Sequence, residues 1–141
     1  MSTTIPPFHL AIPVDDIEAA RAFYVGILGC GVGRDDERWI DFDFYGHQVT
    51  CHLTTTKALS AGTTPVDGHR VPVRHFGVVL SIAQWDGIRD KLRAASAPFL
   101  IEPHTRFPGM VGEQRTLFVR DPAGNALEFK AFADPTRLFA R

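Results

Sequence analysis

The chain has 141 residues, enough for one domain with a buried core, and its 45% hydrophobic and 22% charged content is ordinary for a soluble globular protein. A formal net charge of −1 gives no electrostatic basis for binding nucleic acid or an anionic membrane. No apolar run approaches the ~18 residues that span a bilayer. The start, MSTTIPPF, has neither the basic nor the apolar stretch of a secretory signal, and Cys30 and Cys51 are too few for a disulfide framework, so free buried thiols and a cytoplasmic location are expected.

Phe8 to Val14 reads as a strand. Asp15 or Asp16 can cap a following helix, in which Ile17, Ala20, Phe23, Tyr24 and Leu28 form an apolar stripe at helical spacing, and Gly29, Gly31 and Gly33 end it. These glycines follow a helix rather than a strand, so they lack the setting of a dinucleotide-binding loop. Trp39 to Tyr45 alternates Ile40, Phe42 and Phe44 against Asp41 and Asp43, the period-two pattern of a half-buried strand. Gly46-His47 provides a turn, and Gln48 to Thr55 returns as the hairpin partner. Lys57 to Arg74, with Gly62, Pro65, Gly68 and Pro72, reads as a joining loop. The remainder predicts a strand over 75–81, a helix over about 83–96, and strands over about 98–104, 114–120 and 126–132, with Asp121-Pro122-Ala123-Gly124 as the last turn.

The order β-α-β-β-β thus occurs twice, and the residues repeat with it. His9 opens FHLAIPVDDIEAARAFYVGILG and His75, 66 residues later, opens HFGVVLSIAQWDGIRDKLRAAS. An offset of 76 pairs His52 with Glu128, Glu37 with Glu113 and Phe42 with Phe118, with no gap between them. Each half leaves one sheet face that needs a cover, from its twin or from another chain. A repeat of this kind can bring distant equivalent residues together around a pseudo-two-fold axis. Three imidazoles and a carboxylate meeting there point to a metal ion. Glu128 adds to this, because it sits between Leu127 and Phe129 in an apolar strand, where an unpaired carboxylate is costly to bury. His47 reads as a turn residue, His69 as a solvated loop residue, and His104 as a candidate for lining the cleft.

The stretches His9 with its strand, Ala20-Arg21-Ala22-Phe23-Tyr24, Leu28-Gly29 and Arg120-Asp121-Pro122-Ala123-Gly124-Asn125-Ala126-Leu127-Glu128 resemble the vicinal oxygen chelate superfamily. That superfamily includes glyoxalase I, methylmalonyl-CoA epimerase, extradiol dioxygenases, and fosfomycin- and bleomycin-resistance proteins. The resemblance spans roughly residues 7 to 133. It implies an α+β fold of two tandem βαβββ modules, forming paired curved mixed sheets around a metal-binding cleft with the helices outside. The expected organisation is a single domain over 1–141, with module 1 at about 7–56, a linker at about 57–73 and module 2 at about 74–133. It also implies a homodimer and one divalent ion per site on His9, His52, His75 and Glu128. Position 52 is commonly glutamate or glutamine in the family, and His52 is read as a ligand or a general base.

Imidazole and carboxylate ligands suit Zn, Ni, Fe, Mn or Co. Such an ion can bind two adjacent substrate oxygens and stabilise an enolate. The resemblance therefore implies a small-molecule substrate and glyoxalase-type lyase or isomerase chemistry. Glutathione hemithioacetal is not the expected substrate, because Pro13 stands where glyoxalase I carries the arginine that binds glutathione. An extradiol dioxygenase is the alternative reading, but Phe118 replaces the tyrosine of the ring-cleaving members and Gly109-Met110-Val111 offers no histidine. A non-catalytic, bleomycin-binding role is the second alternative. Those proteins do without the metal ligands that this chain retains.

Overall fold

The computed structural model describes residues 4–55 and 62–141. The first three residues, and positions 57–61 of the expected linker, lie outside the described residues. The chain forms two compact units, Met1–Ala58 and Leu59–Arg141. Each holds one four-stranded mixed sheet, and the fold is α+β.

In the first unit β1 (His9–Val14) runs parallel to β4 (His47–Leu53), which pairs antiparallel with β3 (Trp39–Phe44), and β3 with β2 (Gly31–Asp35). The segment Gly31 to Asp35, expected only to end the helix, is therefore a strand. α1 (Ile17–Arg21) begins at Asp16, whose carboxylate accepts the Ala19 N–H, and continues as a π-helical turn over Ala22–Ile27. That wider turn rotates successive residues through a smaller angle, so the neighbours Phe23 and Tyr24 both bury. Tyr24 stacks on Phe42 at 4.9 Å, fixing which sheet face the helix covers. The β3–β4 turn is Tyr45-Gly46, both at positive φ, rather than Gly46-His47. His47 instead opens β4, where its Nδ1 accepts the Phe8 N–H at 2.8 Å. Cys30 and Cys51 are free and buried. Burial, with Asp43 nearby, pushes the Cys30 thiol up to about 12, so it is an inert core thiol.

In the second unit β7 (Phe76–Val79) runs parallel to β10 (Ala126–Phe132), followed across the sheet by β9 (Gln114–Arg120) and β8 (Phe99–Arg106). α2 (Ile82–Ala94) opens with a reciprocal capping box between Ser81 and Gln84. It buries Trp85, Ile88 and Leu92, and the Trp85 indole donates to the Phe129 carbonyl at 2.9 Å. Asp121 holds the last turn by accepting the Ala123 and Asn125 N–H groups.

The stretch read as a joining loop contains a β-ribbon, β5 (Thr63–Val66) and β6 (His69–Pro72). Its turn is Asp67-Gly68, with φ of 48° and 83°, the backbone that an Asp-Gly pair favours in a two-residue hairpin. His69 is thus an exposed strand residue rather than a loop residue. Val71 is fully buried with Ile101 and Phe118, and Val66 and Leu100 pack around them, so the ribbon belongs to the core of this unit.

Gly77, opposite Glu128 on β10, has no room for a side chain, because a Cβ there would overlap the Glu128 carbonyl. Gly87, inside α2, has open space around its Cβ position. Gly77→Ala is expected to lower stability by about 1–3 kcal/mol, and Gly87→Ala to raise it by up to about 1 kcal/mol. Denaturant unfolding of the two variants beside the parent checks both signs.

Candidate metal centre

Two of the four expected ligands meet within the second unit. His75 Nε2 lies 3.2 Å from Glu128 Oε2. The other ring nitrogen, Nδ1, lies 2.9 Å from the Pro72 carbonyl oxygen. A carbonyl can only accept, so Nδ1 carries the hydrogen. In neutral His75 the bare lone pair of Nε2 then points at a carboxylate oxygen, which is repulsive. The contact is attractive when a proton lies between Nε2 and the carboxylate oxygen, or when both atoms face one cation.

The donor set fits a cation. Two ligand atoms each ~2.1 Å from one ion, at right angles, stand about 3 Å apart. A bond from Nδ1–H to a backbone carbonyl is also the outer contact that metal-binding histidines ordinarily make. Glu128 is buried, and its second oxygen, Oε1, accepts the hydroxyl of the fully buried Thr116 at 2.9 Å. The ammonium of Lys130 lies 3.5 Å from the same Oε1. Phe118 stands edge-on to His75 with ring centroids 5.1 Å apart, giving the imidazole an apolar wall. Among the described residues, no group of three His, Cys, Asp or Glu side chains is placed to hold an ion.

His9 and His52 belong to the first unit and occupy one sheet face. His9 is level with Gln48, and His52 with Pro13 on β1 and Trp39 on β3. Four residues of strand, about 13 Å, separate their levels. The registers also revise the sequence repeat. In the second unit Glu128 lies opposite Gly77, two residues beyond His75. In the first, the residue opposite Ala11, two beyond His9, is Thr50 rather than His52. The structural counterpart of Glu128 is thus Thr50. Phe42 and Phe118 are not counterparts either, since Phe42 pairs with Val49 while Phe118 pairs with Glu128 itself. The ungapped offset fails because the two-residue turn Tyr45-Gly46 is replaced by the five residues between β9 and β10.

Beside Thr50 the structure reveals a polar group that alternation alone left unmarked. Asp41 is buried, with Oδ1 accepting from Thr50 Oγ1 at 2.6 Å and Oδ2 from Gln48 Nε2 at 3.2 Å. His104 shares the sheet face of Thr116 and Glu128, lying opposite Thr116. Its Nε2 lies 2.8 Å from Asp67 Oδ2, and its Nδ1 lies 2.9 Å from the Glu102 carbonyl. Arg106 Nε is 2.9 Å from the same Asp67 oxygen, so both side chains tie the ribbon turn to β8.

The comparisons agree with this architecture. The family model of the glyoxalase/bleomycin resistance protein/dioxygenase superfamily matches residues 7–129, and the chain belongs to that family. A solved glyoxalase/bleomycin resistance protein/dioxygenase of Alicyclobacillus acidocaldarius is 33% identical, with a TM-score of 0.80 over 99% of this chain and 100% of its own. The fold is shared with a fosfomycin-resistance protein of Listeria monocytogenes (16% identity, TM-score 0.70, 98% of this chain and 100% of that one). It is shared too with a lactoylglutathione lyase of Agrobacterium tumefaciens (21% identity, TM-score 0.63, 97% and 100%). Among curated protein sequences none matches.

The hydrogen bond from His104 holds the Asp67 carboxyl below its ordinary value of 3.8, and Arg106 and His69 act in the same direction. A carboxyl whose value is lowered on folding adds stability above its unfolded value and loses it as pH falls through the folded one. Asp67→Asn should therefore reduce stability at neutral pH and flatten the loss of stability below about pH 4. Urea midpoints of the parent and variant from pH 7 to pH 2 check this, and identical pH profiles would count against it.

Proposed function

We propose that the chain is a divalent-metal-dependent enzyme of the glyoxalase type, carrying out isomerisation or elimination on a small metabolite with two adjacent oxygens. The observation that carries this reading is the paired geometry of His75: Nδ1 committed to the Pro72 carbonyl and Nε2 facing Glu128 Oε2 at 3.2 Å. In the reading, His75 and Glu128 are two ligands and His9 is the third. His52 serves as the general base rather than as a fourth ligand, since its level on β4 is four residues from that of His9. A bound ion of the Zn, Ni, Fe, Mn or Co kind would supply Lewis-acid polarisation of two adjacent substrate oxygens.

The chain's own residues do the rest. Thr116 donates to Glu128 Oε1, which orients the carboxylate and leaves Oε2 toward His75. The Pro72 carbonyl holds the imidazole in the tautomer whose Nε2 can ligate. Phe118 excludes water from one side of His75 and brings no hydroxyl with which to move protons around a bound catechol. That absence favours isomerisation over ring cleavage. His52 would take the proton next to the chelated carbonyl and return it, a role ordinarily worth 10²–10⁴ in rate.

Elemental analysis is expected to find about one ion per site in the parent protein. His9→Ala, His75→Ala and Glu128→Gln should each lose it while still folding, and full occupancy in His75→Ala would sink the proposal. Thr116→Val should keep the fold and weaken ion affinity about 10- to 100-fold.

For activity, a screen of 2-oxo acids, hemithioacetals and diols should find turnover by the Zn, Ni or Co protein without oxygen, falling by about two to four orders of magnitude in His52→Ala. Oxygen uptake stoichiometric with catechol, seen only with Fe(II) or Mn(II), would replace this reading with the dioxygenase one. A homodimer is proposed with it, because a half-covered sheet in each module calls for a partner face. Sedimentation at monomer mass with the ion retained would contradict that part.

A further inference from the structure

Lys130 lies two residues beyond Glu128 on β10, and so on the same face of the sheet. It is level with Val79 on β7 and with Thr116 on β9. Its side chain is 32% exposed, and its Nζ stands 3.5 Å from Glu128 Oε1. That oxygen already accepts the Thr116 hydroxyl, while Oε2 is directed to His75. Elsewhere on this face, His104 and Arg106 are both engaged by Asp67, and Arg120 donates to the Gly124 carbonyl. Lys130 is paired instead with the carboxylate that the proposed function assigns to the ion.

This sets a charge problem. A divalent ion on Glu128 is only half neutralised by it, and the negative charge that holds Lys130 is drawn toward the ion. An ammonium in a half-desolvated position next to a cation is unfavourable unless an anion joins them. A neutral diol supplies none. A carboxylate on the substrate does, with one oxygen on the ion and the other within reach of Lys130. We infer that Lys130 is the anchor for a carboxylate of the substrate. The substrate class is then anionic oxygen chelators of the 2-hydroxy-acid and 2-oxo-acid type rather than neutral diols. This inference rests on the ion site of the preceding subsection.

The test uses the full chain loaded with Ni(II), with oxalate as the probe and titration calorimetry as the readout. Ni(II) affinity is measured first for the parent, Lys130→Met and Lys130→Arg. Loss of a neighbouring positive charge should leave Ni(II) affinity in Lys130→Met unchanged or several-fold tighter. Oxalate affinity should fall at least tenfold in Lys130→Met and stay within about threefold of the parent in Lys130→Arg, a rescue that a merely structural lysine would not produce. Oxalate binding of equal affinity in the parent and Lys130→Met, with Ni(II) bound in both, overturns this inference and leaves the metal site standing. Failure of the parent to take up Ni(II) overturns both.

Discussion

A single hydrogen bond, from His75 Nδ1 to the Pro72 carbonyl, organises the second unit around its candidate site. It settles which ring nitrogen is occupied and therefore which one looks toward Glu128. Much of the surrounding structure serves to keep that bond in register. Pro72 ends a ribbon whose other end is held by Asp67 against His104 and Arg106, and whose middle is anchored by Val71 among Ile101 and Phe118. On the other side, the tight approach of Gly77 to β10 sets how far His75 can stand from the Glu128 backbone. The imidazole is thus located by a ribbon and a strand that are both fixed by packing. This is the preorganisation a metal site requires, because errors of a few tenths of an ångström in ligand position weaken binding.

Electrostatics on that face follow from the same arrangement. The sheet presents Lys130, His104 and Arg106 against the buried Glu128 and the ribbon's Asp67. Carboxylates are matched to cations one region at a time: Asp67 at the β8 side, Glu128 at the β7 side. The buried Glu128 carboxylate has Thr116 and Lys130 at Oε1 and His75 Nε2 at Oε2. These contacts fix the orientation of the carboxylate. The first unit's face is built on a related principle with different chemistry, since Asp41 there has both oxygens satisfied by Thr50 and Gln48.

The two units show how little it takes to break a sequence repeat at the level of side chains. Both use a helix-backed sheet with the first and last strands parallel and adjacent at its edge. The final hairpins differ in turn length. Because strand side chains alternate, a change of one residue in register moves every side chain to the opposite face. Phe42 therefore packs on the helix side with Tyr24, whereas Phe118, its partner by simple counting, lies on the face of His75. Divergence between the modules is concentrated where the turn absorbs extra residues, and the strand positions on either side of it shift accordingly.

By itself the sequence determined the family, the α+β class and most of the strand-helix order of both halves, and it named His75 and Glu128 among four expected ligands. These depend on local signals that survive any packing: alternation in Trp39 to Tyr45, the Asp16 cap, the Asp121 turn, and a carboxylate in an apolar strand. Tertiary structure alone decided four other things. It made a ribbon of Thr63–Pro72, whose Asp-Gly turn was legible but whose short strands are stabilised by Val71 docking on Ile101 and Phe118. It made a strand of Gly31–Asp35, which pairing with β3 stabilises despite its glycines. It placed Thr50, not His52, at the position matching Glu128. It assigned the proton of His75 through the Pro72 carbonyl. In the first three cases the deciding partner is distant in sequence or set by register, and a local pattern of residue types carries no information about which strand level a side chain will meet; in the fourth it is the backbone path from Pro72 to His75.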